Sequence, residues 1–356
     1  MRKHALAATA LTIATTGVAH AGGIGRDGDR SQILFEEGRN YVEFTASAVD
    51  LNVSGSLLGG ALGSGNIQKS FLSFSGAYKF QPNDQWAFAI VANEPVGADV
   101  AYTAGTPYPF SGSSATVESI AVTGYVKYNF SERVSAYGGL RVQGLTGDLA
   151  IRTAGLPLPP VYNLNVDQDF RFGYVVGAAY QIPDIAMKVA LTYESEIEHS
   201  FIDNTGTNFD VTIPQAVTLH AQSGISQNTL LFGSIRWQEW TEFQIRPLDF
   251  LGGAVAIASE PSDIWTYELG VGQRFNENWS GALTVGYEED QGDIVGNLSG
   301  KDGFTSFGVA MKYKKEGWEV TTGIKYFDIG STRTSIGANF SGNDAVAAGV
   351  KVGFRF

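Results

Sequence analysis

Cysteine is absent from the 356 residues of the chain, and histidine is scarce. Without cysteine the fold cannot be closed by disulfide bonds, so it must rely on backbone pairing and burial. Beyond residue 21 the only histidines are His199 and His220, which are too few for most zinc sites or Ser/His catalytic arrangements. Glu198-His199-Ser200 does not supply a triad, because adjacent residues on a strand point to opposite faces. The sequence therefore predicts no enzyme, no metal site and no cofactor.

Positive charge is in deficit as well. The chain has 24 Lys and Arg against 36 Asp and Glu, and its net charge is -12. Nucleic-acid binding rewards clustered Lys and Arg, so we expect no nucleic-acid partner. After residue 21 no apolar run reaches the roughly 18 residues that a membrane helix needs. This excludes a helical membrane protein.

The first residues are organised like an export signal. A charged start from Met1 to His4 precedes an apolar stretch at 5–19, and Ala19-His20-Ala21 forms an A-x-A cleavage site. The apolar stretch is short and contains Thr and Gly, which suits export better than membrane anchoring. We therefore predict a signal peptide at residues 1–21.

Short segments in which apolar and polar residues alternate recur from residue 40 to the C-terminus. Each segment is weak alone, but their repetition is typical of a transmembrane antiparallel β-barrel. The sequence thus predicts an all-β protein, with a short N-terminal segment at 22–39 and a barrel at 40–356. About fourteen strands are predicted, an even number as in single-chain bacterial barrels, at 40–53, 69–80, 85–95, 115–130, 134–153, 165–181, 186–201, 208–223, 229–243, 262–275, 278–291, 303–314, 317–329 and 343–356.

The connections between these strands alternate in length. Tight polar turns such as 81–84 and 276–277 alternate with longer segments such as 96–114 and 244–261. Short periplasmic turns and longer extracellular loops are typical of barrels in the bacterial outer membrane. Both chain termini fall on the side of the short turns. A soluble β-sandwich would also show alternation, but it would not explain this asymmetry.

Aromatic residues concentrate near the strand ends, where their amphipathic rings are expected to lie at the level of the lipid headgroups. The chain contains 22 Phe, 15 Tyr and 6 Trp, and it ends in Phe356. A terminal aromatic residue that faces lipid resembles the assembly signal of outer-membrane barrels. We therefore expect the barrel-assembly machinery and outer-membrane lipid as partners, and we predict a monomer.

Alternation directs charged residues of both signs into the lumen. One interpretation is a hydrogen-bonded network that only satisfies buried polar groups. The other is that a cation holds an anionic headgroup, since Arg pairs bidentately with carboxylates. The predicted headgroup ligands are Arg141 and Arg236, with Lys188 and Lys325 in reserve.

The long loops are unusually apolar for segments that face water. They either pack on one another as a lid or form a groove that admits an apolar solute, and the two readings are compatible. The predicted apolar loop contacts are Leu57, Leu58, Phe110, Leu248, Phe250 and Leu251.

Four ordered segments resemble a known family: 173–180 (GYVVGAAY), 191–195 (LTYES), 213–217 (IPQAV) and 235–240 (IRWQEW). In order and spacing they resemble the FadL/TodX outer-membrane transporters of long-chain fatty acids and other hydrophobic compounds. The similarity lies mainly in the second half of the chain. The family barrel also has fourteen strands.

The resemblance implies a route as well as a fold. A solute is captured by apolar extracellular loops, passes an internal site and leaves sideways where the third strand kinks. That point falls here on Asn93, Glu94, Pro95, Val96 and Gly97, and Pro and Gly are residues that interrupt a ladder. A strand end followed by an ordinary loop is the alternative.

The start of the chain departs from the family pattern, because only 22–39 precede the first strand and the Asn-Pro-Ala element of the family is missing. A reduced plug of Ile33, Leu34 and Phe35, which would also cover the kink, is expected; a frayed terminus is the alternative. Transport of fatty acids or similar hydrophobic molecules is the leading function. A general diffusion porin for small polar solutes is the alternative, and it would have a water-filled lumen.

Overall fold

The computed structural model describes residues 24–292 and 294–356. The predicted signal peptide at 1–21 lies outside the described residues. Among the described residues, no helix is long and apolar enough to cross a membrane.

Fourteen antiparallel strands form one closed barrel, which confirms the predicted fold class. The ring closes because the third strand pairs with both the second and the fourth. The strands are Asn40–Asn52 (β1), Phe71–Phe80 (β2), Trp86–Asn93 (β3), Ser114–Asn129 (β4), Val134–Arg152 (β5), Val161–Ile182 (β6), Met187–Glu194 (β7), Ala216–Gly224 (β8), Thr229–Gln238 (β9), Ile264–Arg274 (β10), Trp279–Glu288 (β11), Phe304–Lys315 (β12), Trp318–Ile329 (β13) and Asn343–Arg355 (β14).

Each wall strand has one apolar outer face and one inner face, because successive side chains of a strand point to opposite sides. On β14, Val346, Val350 and Phe354 are exposed on the outside, whereas Ala347 and Lys351 are buried inside. Only the first set tolerates contact with lipid. The period of two in the sequence therefore sets which residues reach the lumen.

The two ends of the barrel differ as predicted. At the short-turn end, consecutive strands are joined by tight turns; at the long-loop end, the loops carry structure of their own. Gly97–Ala101 pairs with β4 in the barrel sheet beyond the end of β3. Short loop strands occur at Ser54–Leu57, Leu62–Asn66, Ile197–Ile202, Asn208–Ile213, Gln244–Ile245, Ala258–Ser259, Ile294–Val295, Thr332–Thr334 and Asn339–Phe340. Single 3-10 turns occur at Ser31–Phe35, Leu58–Gly60, Pro183–Ile185, Trp240–Glu242 and Leu251–Gly253.

Two predicted strands are wrong toward the long-loop end of the barrel. The segments predicted at 186–201 and 208–223 belong to the wall only up to Glu194 and from Ala216 onward. Between these points Ile197–Ile202 and Asn208–Ile213 pair with each other as a separate hairpin, here called the lid hairpin. Pro214 explains why the second hairpin strand ends before the wall strand begins at Ala216, because proline has no N–H to donate to a β-ladder.

The lid hairpin turns toward the lumen instead of continuing the wall. Its inner residues, among them Ile197, Phe201 and Phe209, are buried. A Cβ atom placed on Gly173 of β6 would lie 2.7 Å from the Ile197 side chain, so the hairpin packs directly on the inner face of β6. The absence of a side chain at Gly173 therefore permits this close approach.

The last residue provides a test of assembly. Phe356 is 73% exposed, and its backbone N–H donates to the carbonyl of Asn40, where the first strand begins. We expect deletion of Phe356 to lower the fraction of heat-modifiable, membrane-inserted protein on electrophoresis. Phe130→Ala, which removes a ring 66% exposed at a turn of the same end, is the matched control and should assemble normally. Unchanged assembly after the deletion would remove Phe356 from the assembly signal.

Candidate functional site

The barrel wall is interrupted where the third strand leaves its neighbour. The β2–β3 ladder ends at the pair Gly76 and Ala92, and pairing with β4 breaks after Asn93 and resumes at Gly97. Within the described residues, positions 71–75 of β2 therefore have no strand partner on that side. We call this opening, bounded by 71–75 and 93–97, the wall break. It is closed toward the long-loop end by a bridge between Gln68 and Val100.

The N-terminal segment covers the wall break from inside. Residues 24–27, here called the gate segment, pair with 95–97 as a short antiparallel strand around a bridge between Gly25 and Val96. The N–H of Arg26 donates to the Pro95 carbonyl at 2.9 Å, and that of Gly97 donates to the Ile24 carbonyl at 2.7 Å. Unpaired backbone at membrane depth costs several kcal/mol per group, so this pairing stabilises the interruption.

Arg26 fills the space that the wall break leaves. Its guanidinium carbon lies 4.1 Å from the centre of the Phe71 ring on β2, within the range of a cation–π contact. On its other side it packs against Gly97, where an added Cβ atom would lie 2.5 Å from the guanidinium carbon. One side chain thus spans from the kinked strand to β2.

The predicted plug residues lie farther toward the short-turn end. Ile33 and Leu34 are buried in the lumen. The Phe35 ring lies between two ammonium groups, 4.2 Å from that of Lys127 and 4.6 Å from that of Lys188. The segment against the wall break is therefore 24–27, and not the Ile33 to Phe35 stretch expected from the sequence.

An apolar cavity of about 110 Å³ lies between the wall break and the lid hairpin. Arg26 and Gly97 line it at the wall break, so the cavity ends where the wall is interrupted. Its apolar lining comes from the wall, the lid hairpin and the loops, and includes Phe71, Val117, Leu145, Phe201, Phe209 and Phe243.

Toward the short-turn end the lumen becomes charged. Glu194 accepts hydrogen bonds from Arg141 at 2.7 Å and from Arg236 at 2.5 Å, one on each carboxylate oxygen. Lys325 is paired with Glu268 at 2.5 Å. Three of the four predicted headgroup cations are thus bound to carboxylates of the chain, and Lys188 lies against Phe35. A role for any of them as headgroup ligand stays a prediction.

The N-terminal segment adds to this polar zone. The Asp29 carboxylate accepts hydrogen bonds from the hydroxyls of Ser31 and Thr192, both at 2.8 Å, and lies 3.3 Å from the His220 ring. Arg30 is paired with Glu43 of β1 at 3.2 Å. These contacts join the segment to β1 and, across the ring of strands, to β7 and β8, so it crosses the lumen within a cluster of paired polar groups.

The apolar loop residues named from the sequence do not line this cavity. Phe110 and Phe250 are buried in the loop core, and Leu57 packs against that core. The exposed ones are Leu58, Leu248 and Leu251. Sequence reasoning missed the cavity residues of the lid hairpin, which are Phe201, Phe209 and Val211, because the two hairpin strands alternate as wall strands would.

Replacement of Gly97 tests the fit of the gate segment. Gly97→Val places a side chain where the Arg26 guanidinium lies, so we expect the gate segment to detach from the wall break. Hydrogen exchange should rise at least about tenfold at the amides of Arg26 and Asp27, which corresponds to about 1.4 kcal/mol. Gly124→Ala is the control, since nothing lies within 4 Å of its added Cβ atom. Unchanged exchange in the valine variant would contradict the assigned fit.

Removal of Arg141 tests the charged zone. Arg141→Ala leaves the buried Glu194 carboxylate with one of its two cationic partners. We expect the free energy of unfolding to fall by about 1.5–3 kcal/mol in a urea titration of the micelle-bound barrel. Lys314→Ala breaks a half-exposed pair with Glu37 and should cost less than about 1 kcal/mol. If Arg141→Ala lowers the free energy of unfolding no more than Lys314→Ala does, the Glu194 network is not a stabilising element.

Comparison with known proteins places the chain in a family. Residues 29–293 match the model of the outer membrane protein transport proteins (OMPP1/FadL/TodX). The structure is similar to a Pseudomonas aeruginosa FadL homologue, with 14% identity, coverage of 97% of this chain and 98% of that one, and a TM-score of 0.74.

Toluene transporters have the same fold. The similarity extends to Pseudomonas putida TodX, with 12% identity, coverage of 95% of this chain and 96% of that one, and a TM-score of 0.64. Ralstonia pickettii TbuX is 11% identical, with coverage of 90% of each chain and a TM-score of 0.64. Comparison with curated proteins gives no match. The match to the family model spans most of the chain, and the protein therefore belongs to the FadL/TodX family of transporters in the bacterial outer membrane.

Proposed function

We propose that the protein carries small apolar molecules across the outer membrane by binding them in the cavity and releasing them sideways through the wall break. One observation supports this most directly: the apolar cavity ends at the wall break, which the gate segment covers from inside. Passage along the axis would require an apolar solute to enter the charged zone around Glu194, at the cost of separating buried ion pairs.

The size of the cavity indicates the size of the solute. An engineered apolar cavity of about 150 Å³ is large enough to hold benzene. The cavity of about 110 Å³ is smaller, so without rearrangement it accepts a solute no larger than roughly one ring or a short alkyl chain. TodX and TbuX are described as toluene transporters, and a solute of that size is our first candidate here.

A long-chain fatty acid, which the family resemblance implies, is the larger candidate. Its chain would exceed the cavity unless the lid hairpin moved. Its carboxylate would have to displace Glu194 from Arg141 or Arg236. A carboxylate-specific loss in Arg141→Ala or Arg236→Ala, relative to the matching alcohol, would favour this candidate.

The porin alternative requires a water-filled lumen. Here the lumen toward the short-turn end is occupied by the segment that includes Asp29, Arg30 and Phe35, which bonds to several wall strands. We therefore expect no swelling of proteoliposomes in small sugars. Swelling without uptake of an apolar solute would exclude the proposed function.

Opening requires the gate segment to move, because Arg26 and the backbone of 24–27 occupy the wall break. A disulfide between Gly25→Cys and Val96→Cys tests this step. The two positions form a bridge flanked by the backbone hydrogen bonds of Arg26 and Gly97, so their Cα atoms lie about 4.5–5.5 Å apart, within disulfide range. The oxidised variant should lose uptake of toluene into proteoliposomes, and reduction should restore it.

The control is a disulfide in the continuous wall, between Ser47→Cys and Gly349→Cys, which are register partners of β1 and β14. It should leave uptake unchanged in both redox states. If the oxidised gate variant transports as fast as the unaltered protein, the lateral route is wrong and an axial route remains.

A further inference from the structure

Arg26 is a cation that lines the apolar cavity without a polar partner for its side chain. It lies where the cavity meets the wall break, and it is 9% exposed. Among the described residues, its Nε has no hydrogen-bond partner and its guanidinium group has no ion-pair partner. Buried polar groups are normally hydrogen-bonded, because leaving them unpaired costs free energy. The state of this guanidinium group therefore needs an explanation from its surroundings.

The surrounding charges balance Arg26 without bonding to it. The carboxylates of Glu94, Asp99 and Glu118 are close enough to attract the guanidinium group. Asp99 is itself paired with Lys69 at 2.9 Å. A carboxylate brought to Arg26 by a solute would be repelled by these three carboxylates while one guanidinium group attracts it. A solute that suits this position is therefore neutral.

The direct partner of the guanidinium group is an aromatic ring. Its central carbon lies 4.1 Å from the centre of the Phe71 ring. Phe71 belongs to the unpaired stretch of β2, and it lines the cavity together with Arg26. A solute in the cavity thus lies beside both the cation and the ring on which the cation rests. The gate segment cannot leave the wall break without separating these two side chains.

An aromatic solute can supply what Phe71 supplies now. The face of an aromatic ring carries partial negative charge that attracts a cation, and it accepts N–H groups weakly. A saturated ring of the same size offers dispersion contacts alone. A solute ring beside Arg26 therefore restores the contact that is lost when Arg26 separates from Phe71, and a saturated ring does not.

We propose that Arg26 recognises the ring of a neutral aromatic solute, so that the cavity prefers aromatic to saturated hydrocarbons of the same size. The solute ring takes the place of the Phe71 ring on the guanidinium group. An aromatic solute thereby also compensates for the contact that is broken when the gate segment moves. The inference rests on the proposed function, because it names the solute class of the same cavity.

The test compares two probes with the same carbon skeleton, toluene and methylcyclohexane. Binding to the purified protein in nanodiscs is measured against empty nanodiscs, which removes the part of each probe that dissolves in lipid. The unaltered protein should bind toluene about three to ten times more tightly than methylcyclohexane, as expected for one cation–π contact. A third probe, 4-methylbenzoate, should bind more weakly than toluene.

Three variants change the two sides of the contact. Arg26→Met removes the charge but keeps an unbranched side chain, so the ratio of the two affinities should fall to about one. Arg26→Lys keeps a cation and should retain a preference of about twofold or more. Phe71→Leu removes the ring that competes with the solute, so it should raise the ratio. Opposite changes in the two positions would not follow from a purely structural role of Arg26.

Lys127→Met is the matched control. The Lys127 ammonium group lies 4.2 Å from the centre of the Phe35 ring, so the variant removes the same kind of contact. Lys127 does not line the cavity. The control should therefore leave the affinities for toluene and methylcyclohexane unchanged.

The outcomes separate the two proposals. If the unaltered protein binds neither hydrocarbon, the proposed function fails. If it binds both equally, or if the preference survives in Arg26→Met, the inference fails while the function stands. If Arg26→Met binds neither probe, Arg26→Lys and Phe71→Leu decide. A lower ratio in Phe71→Leu would overturn the inference, because it would assign recognition to Phe71. Tightest binding of 4-methylbenzoate would also overturn it, because Arg26 would then bind an anion.

Discussion

A chain that crosses lipid as strands must pair every backbone N–H and C=O group at membrane depth. The described strands meet this requirement along most of the barrel, and the wall break at 93–97 is a place where they do not. There the pairing is supplied by the gate segment, whose Ile24 carbonyl accepts from the Gly97 N–H and whose Arg26 N–H donates to the Pro95 carbonyl. The N-terminal segment therefore has two roles: it completes the hydrogen bonding of the wall, and it occupies the lumen. This double role links the state of the lumen to the integrity of the wall.

The lumen is divided by chemistry along its axis. Toward the long loops, wall strands and lid hairpin enclose an apolar space; toward the short turns, Glu194, Asp29 and their partners fill the barrel with paired charges. Moving a buried charge away from its partner costs several kcal/mol. For the proposed function, an apolar solute would therefore leave the cavity sideways, where the gate segment has to move but the ion pairs around Glu194 stay intact. The inner charges would then direct the solute without contacting it.

Much of the fold could be predicted from the sequence, because the period of two fixes both strands and faces. The inward position of Arg141 follows from alternation alone, whereas its partner Glu194 lies two strands away and needed the folded ring. The lid hairpin was missed because Ile197, His199 and Phe201 alternate as a wall strand does. The gate segment was missed because the Gly-rich sequence at 22–28 has no alternation. Residues 24–27 pair as a strand only with the kinked residues 95–97.

The packing of Arg26 on Gly97 carries a consequence for how such a chain can diverge. A side chain at position 97 and a guanidinium over Phe71 compete for one volume, so neither position is free to vary while the other is kept. Descendants of this sequence that gain bulk at 97 are expected to shorten or lose the residue at 26, and the two should covary although they are far apart in the chain. Covariation of this pair would record, in lineages, whether the gate segment still packs against the wall break.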